Sequence, residues 1–198
     1  MDTITTWEID PAHSTIALTA KHMMFTTVRG RFTRFTGTVR VNEQHPDQSA
    51  AEVDIEAASI DTGVEKRDDH LRSGDFLNVE QHPRILFRTT RVDGAHAKAG
   101  DQFQIQGTLS IRGTSRPVTL SAMFDGTGKD PWGGLRGGFS ARTEIDRRDW
   151  GLTWNQTLEA GGMLVSNTIK IEIEIQAVKQ ERPRATGETQ VATSSAIA

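Results

Sequence analysis

Apolar and polar residues alternate with a period of two along most of this chain. In "FQIQGTLSI", Phe103, Ile105, Leu109 and Ile111 share one face, and in "IKIEIEI" four isoleucines, 169 to 175, oppose Lys170, Glu172 and Glu174. "STIALTAKH" places Ile16, Leu18, Ala20 and His22 on one parity, "VTLSAMF" does the same with Val118, Leu120, Ala122 and Phe124, and "AEVDIEA" and "GFSARTEI" follow suit. Such segments are half-buried antiparallel strands. In "TVRGRFTRFTGTVRV" the parity slips, because Val28 and Phe32 share one face while Phe35, Val39 and Val41 share the other. A bulge or sharp bend near Thr33 and Arg34 restores a common apolar side. With the mixed run "RILFRTTRV", about eight strands are expected, separated by turn-rich stretches such as "NEQHPDQS" and "DGTGKDPWGG".

Eight strands with one apolar face each close into an up-and-down barrel or pack as a two-sheet sandwich. The long bent strands suit a barrel wall, and the Cys and Trp landmarks of an immunoglobulin-like sandwich are absent. Small inward residues, Ala20, Gly107, Ala122, Gly137 and Ala141, alternate with Phe and Ile. They either leave a lumen or match large residues across a filled core, and the strand pattern alone leaves both open.

One segment breaks the pattern: "SIDTGVEKRDDHLRSGDFLNVEQHP", residues 59 to 83. Thr62 followed three residues later by Glu65 reads as a capping box, so a short helix is expected from Val64 to Arg72, followed by a turn carrying Phe76 and Leu77. Its clustered charges are structural pairs and caps or, on a second reading, acid/base chemistry around His70. A metal site finds little support, since His70 and His82 are too far apart in sequence for a ligand pair on one element and no HExxH or Cys is present. Nor is there a phosphate-binding loop or a GxSxG nucleophile; "DGTGKDPWGGLRGG" is expected to be a hairpin loop.

The 198 residues suit one domain, expected over 1–179, and the Pro-, Ser- and Thr-rich stretch 180–198 reads as a disordered tail. Lys and Arg number 23 against 26 Asp and Glu, for a formal charge of -3, which offers no electrostatic footprint for nucleic acid. With no apolar run long enough to span a bilayer and no basic, apolar leader, a soluble cytoplasmic protein is expected.

Four stretches in order, "WEIDPAHSTIALTAKHMMFTTVRGRFTRFTG", "SIDTGVEKRDDHLRSGDFLNVEQHP", "GTLSIRGTSRPVTL" and "RRDWGLTWNQTLEAGGMLVSNTIKIEIEIQAV", resemble the successive motifs of the YceI-like family over residues 5 to 178. The resemblance implies an all-β fold: an extended lipocalin-like antiparallel eight-stranded β-barrel with a short helical insertion, commonly a homodimer. It also implies a lumen that binds, stores or transports a long-chain amphiphilic lipid, polyisoprenoid or quinone-like, with no catalysis and no cofactor. The family's opening-helix motif falls on Arg67, Asp68, His70, Leu71, Asp75 and Phe76. Two departures stand out: family members are often exported, and Trp150 stands where the family more often carries Phe.

The expected apolar wall comprises Ile16, Leu18, Phe35, Phe76, Phe87, Phe103, Leu109, Leu120, Phe124, Phe139, Trp150 and Trp154. His22, inward at the end of its strand, is either a satisfied core histidine or a partner for a ligand's head group, and Arg31 and Arg67 are the nearest cationic candidates by motif position. The rival reading is an enzyme acting on a small lipid-like substrate through His22, His13 or the His70 region.

Overall fold

The computed structural model describes residues 3–95, 98–159 and 161–181. Eleven strand segments and one helix follow in order: β1 (Ile4–Ile9), β2 (Thr15–His22), β3 (Thr26–Phe32), β4 (Phe35–Asn42), β5 (Ala50–Glu56), β6 (Ile60–Asp61), α1 (Glu65–Arg72), β7 (Arg84–Asp93), β8 (Gln102–Ile111), β9 (Thr114–Lys129), β10 (Leu135–Asp146) and β11 (Thr168–Lys179). Of the expected tail, 180–198, all but the first two residues lie outside the described residues.

Every pairing is antiparallel, and the order β1-β4-β5-β7-β8-β9-β10-β11 returns from β11 to β1. β2, β3 and β6 continue β1, β4 and β5 beyond three bends that lie side by side. A 3-10 turn at Pro11–His13 makes the first, Thr33 and Arg34 the second, and a 3-10 turn at Ala57–Ser59 the third. Backbone bonds stitch the last two together, Thr33 N to the Ser59 carbonyl at 3.1 Å and Glu56 N to the Arg34 carbonyl at 3.0 Å. β11 runs past the first bend, pairing with β2 through Lys170–Glu174 and with β1 through Ala177–Lys179. Taking each bent pair as one strand gives a closed eight-stranded meander, and the bend expected at Thr33 and Arg34 is the point where the second strand turns.

Bulges explain the mixed parity elsewhere. The β7–β8 ladder shifts between Thr89 and Arg91, so the lumen side passes from Ile85, Phe87 and Thr89 to Val92. The β9–β10 ladder shifts at Phe139 in the same way, leaving Asp125 over. Contrary to the expectation of a long loop, most of "DGTGKDPWGGLRGG" is ladder and only 130–134 is the hairpin tip. The Asp130 carboxylate accepts from Trp132 N at 3.0 Å and Gly134 N at 2.8 Å, and Arg136 bridges it to Asp10 at 2.9 and 2.6 Å. Arg136 thereby holds both carboxyls below the usual carboxylate range.

The β2–β3 turn is unusual in another way. Met23 and Met24 have φ of 50° and 69°, and Phe25 N donates to the His22 carbonyl at 3.2 Å. Two left-handed central residues make a type I′ turn, for which Asn-Gly is strongly preferred. Residues with a Cβ give up about 1–2 kcal/mol each in that conformation.

Buried packing concentrates at the waist and around α1, where Phe32, Ile60, Phe76, Leu77, Trp150 and Leu152 belong to one cluster. Among the described residues no helix is long and apolar enough to cross a membrane.

Candidate functional site

The eight-stranded ring does not fill its interior. A cavity of about 910 Å³ runs from the α1 end toward the β9–β10 hairpin. Alternation builds the wall: β2 contributes Ile16, Leu18 and His22, β7 contributes Phe87, β8 contributes Phe103 and Leu109, β9 contributes Leu120 and Phe124, and β10 contributes Phe139. Ala20, Ala122, Gly137 and Ala141 face the same space, so the small residues leave room. Gly107 acts differently, since a Cβ there would lie 2.4 Å from the Phe87 ring. The bare glycine leaves room for the Cε2–Cζ edge of that ring against β8. At the far end Phe124 and Phe139 face each other across the ladder with ring centroids 5.2 Å apart.

The α1 end is where the chain spends its charges. Asp68 is buried and its carboxylate accepts from Thr62 N at 3.0 and 3.2 Å and from the Thr62 hydroxyl. Arg67 donates to Thr62 Oγ1 at 2.7 Å and to the Thr62 carbonyl at 2.8 Å. Arg72 donates to the carbonyls of Ala58 and Ile60 at 2.9 and 3.0 Å. These bonds clamp α1 to the strand before it. The capping box expected from Thr62 and Glu65 is not what forms: the N-cap is Val64, with no side-chain cap, and Asp68 reaches back to Thr62 in place of Glu65. The charged stretch is therefore a clamp that seats one turn of aromatic packing. The Asp75 carboxylate accepts from His70 Nε2 at 2.9 Å, and the His70 ring meets Phe76 and Trp154 edge-on at 5.1 and 4.6 Å.

Arg147 lines the lumen at the same end and is only 4% exposed. It donates to the carbonyls of Ser166 and Leu152 and to Asn167 Oδ1, none of them a carboxylate. Its guanidinium also lies over the Phe76 ring at 5.9 Å. Burial pushes its pKa down, yet an arginine stays protonated, so the apolar lumen has a buried cation in its wall. Neighbouring Asp146 does not bond to it, because Arg148 grips that carboxylate on the outer face and draws its pKa down to about 2. Sequence reasoning passed over Arg147. The signal was present in parity, since 139, 141, 143, 145 and 147 continue one face of β10, but a doubled arginine in a turn looks solvated.

Of the expected site residues, Arg67, Phe76, Trp150 and Trp154 line this end and the strand residues named above line the barrel. Trp150 is 3% exposed and donates Nε1–H to the Leu109 carbonyl at 3.0 Å. Two expected residues do not line the lumen. Arg31 sits on the outward parity of β3, exposed and 3.6 Å from Asp61, because its neighbours Gly30 and Phe32 take the buried side. Phe35 is buried between walls at the bend, in the packed cluster. Of the histidines offered for catalysis, His13 pairs with Asp10 at 2.8 Å on the outer surface, and His22 faces the lumen with no side-chain hydrogen bond among the described residues. No group of three or more His, Asp or Glu converges on a metal-sized site among the described residues.

A family model described as the YceI-like domain matches residues 7–177. A UPF0312 protein of Azotobacter vinelandii is 37% identical over 140 residues, 71% of either chain, and Protein YceI of Salmonella newport is 36% identical over 169 residues, 85% of this chain and 83% of its own. Among solved structures, BcnA of Burkholderia cenocepacia superimposes with a TM-score of 0.73 at 20% identity, covering 85% of this chain and 98% of its own. A domain of Saccharophagus degradans described as polyisoprenoid binding, and implicated in plant cell wall breakdown, does so with a TM-score of 0.65 at 15% identity, covering 88% and 98%. On the family match and these relatives together, the chain belongs to the YceI-like family.

Proposed function

We propose that this barrel binds the chain of a long amphiphilic lipid, polyisoprenoid or isoprenoid-quinone-like, in its lumen, and that its role is storage or transport. The observation that carries the reading is the lumen itself: about 910 Å³ walled by aliphatic and aromatic side chains. At about 30 Å³ per non-hydrogen atom, the share of a water in the liquid, it takes on the order of 30 ligand atoms. Each sheltered CH₂ contributes about 0.8 kcal/mol, so ten give roughly 8 kcal/mol against an association cost of about 4–15 kcal/mol. A short lipid is held weakly and a chain of a few dozen carbons firmly. The description of the Saccharophagus degradans domain as polyisoprenoid binding supports the same chemistry.

The head group belongs at the α1 end. His22, Lys66 and Arg147 face the lumen there, whereas Phe103, Phe124 and Phe139 crowd the other end. Against catalysis, His70 is committed to Asp75 and wedged between two rings. A general base has to reach a reacting proton at about 2.6–3.2 Å, and among the described residues no side-chain hydrogen bond joins His22 to a nucleophile. Organic extraction of the purified protein followed by mass spectrometry tests the proposal. A bound chain of roughly 25 or more carbons is expected on the volume above. An empty extract, together with no uptake of added prenyl lipid, removes the carrier reading, and time-dependent conversion of an added lipid replaces it with the enzymatic one.

A further inference from the structure

We propose that the β2–β3 turn, with Val64 and Met163 beside it, is a tip that docks the mouth of the lumen onto an anionic lipid bilayer. Phe25 is 76% exposed, Met24 60%, Val64 49%, Met163 44% and Met23 38%. These are most of the large apolar side chains that the described surface exposes, and they gather at one end. Gly162 sits within 4 Å of Met24 when given a Cβ, and Met23 N donates to the Leu164 carbonyl at 2.8 Å, so the 161–164 turn lies against the tip. Val64 follows β6, which pairs with Arg31 and Phe32, and so runs alongside the same strand toward the tip.

The placement is continuous with the cavity. Val64, Val28, Leu164 and Val165 line the lumen, as do His22 and Lys21 immediately before the turn. A lipid that leaves through this mouth meets an apolar collar first and water only afterwards. Two features argue that the collar is kept for its chemistry. Methionines occupy both left-handed positions of a type I′ turn, where Asn-Gly folds without strain, so the turn is not composed for stability. Exposed Lys21 and Lys66 flank the apolar residues, with Lys21 Nζ anchored on Thr27 Oγ1 at 2.8 Å. An apolar tip flanked by two lysines matches the acyl region and the anionic headgroups of a bilayer in turn.

A second copy of the chain fits less well. At about 200 Å² for a fully exposed residue of this size, the five side chains present roughly 500 Å², below the about 800 Å² per partner of a stable interface, and the tip is a convex turn. The proposal takes the lipid-carrying lumen as its premise.

The test is flotation of the full chain with phosphatidylcholine vesicles, with and without phosphatidylglycerol, against the variant Met23→Asn/Met24→Gly and the single variant Phe25→Ser. The paired substitution relieves the turn, so its melting temperature stays level or rises and misfolding is not an explanation for lost binding. The expected result is salt-sensitive flotation of the parent with phosphatidylglycerol vesicles and at least about tenfold weaker flotation of both variants, with their extracted lipid content unchanged because the lumen is untouched. Failure of the parent to float, equal flotation of the variants, or a dimer that dissociates in the variants while vesicle binding persists overturns the proposal. A lipid-free extract and no uptake of added prenyl lipid, from a parent that still floats, leave the docking tip standing and remove only the carrier reading.

Discussion

Gly107→Ala tests whether the lumen is held open by one missing side chain. Gly107 is on the inward parity of β8, opposite Thr89 and diagonal to Phe87. A Cβ there would lie 2.4 Å from both Cε2 and Cζ of Phe87 and 2.7 Å from the Arg88 carbonyl oxygen. Carbon atoms pack at about 3.5–4.0 Å, so the ring has to retreat by more than about 1 Å. It is a wall residue whose outer side is the strand itself, and the only free space is the lumen. Overpacking of this kind costs about 1–3 kcal/mol, offset by roughly 0.5–1 kcal/mol from replacing a strand glycine. A net destabilisation of about 1 kcal/mol is expected, with a matching loss of cavity.

A ring face displaced by about 1 Å sweeps roughly 50 Å³, one to two ligand atoms at about 30 Å³ each. At about 0.8 kcal/mol per CH₂ that is near tenfold in affinity for a chain that fills the lumen and nothing for a chain much shorter than it. Displacement of a fluorescent fatty probe by prenyl alcohols of increasing length measures this directly. The double variant Gly107→Ala/Phe87→Leu, which shrinks the obstructing ring, should recover long-chain affinity and part of the stability, the contact with the Arg88 carbonyl remaining, a coupling of the sign expected for neighbours in contact. Equal loss at every chain length, or no recovery in the double variant, would refute the idea that Phe87 against Gly107 sets the lumen's width.

His22→Ala should weaken a prenyl lipid with a polar head more than the matching headless hydrocarbon, measured by the same displacement; equal loss for both returns His22 to a packing role. The Asp146–Arg148 pair carries a pH signature. Asp146 titrates at about 2 in the folded chain against 3.8 ordinarily, so its stabilisation is complete above the unfolded value and is lost as pH falls from about 4 toward 2. Both partners are partly exposed, which limits the contribution to under about 1 kcal/mol. Urea midpoints at about pH 5 and about pH 2.5 should therefore differ slightly less in Asp146→Asn than in the parent, whose acid loss includes this carboxylate.

Alternation along each strand is a local property, set by dihedral angles that send successive side chains to opposite faces, and that is why the wall positions of β8, β9 and β11 are legible residue by residue. The bend at Thr33 and Arg34 is legible for the same reason, since a parity slip between two apolar faces admits few geometries. The helix from Glu65 to Arg72 shows in the charge and turn pattern, but its anchoring does not: the capping-box spacing from Thr62 points to Glu65, and only the path of the chain from β6 into the helix brings Asp68, six residues on, to Thr62. Arg31 and Arg147 make the contrast plain. Both are arginines in motif stretches, and which one reaches the lumen depends on the face of the strand each continues and on where the ring closes. Whether the inward residues meet or stand apart depends on closure too. Eight strands enclose a fixed circumference whatever their side chains, so Ala20, Ala122, Gly137 and Ala141 become empty volume only when β11 closes on β1 and β2.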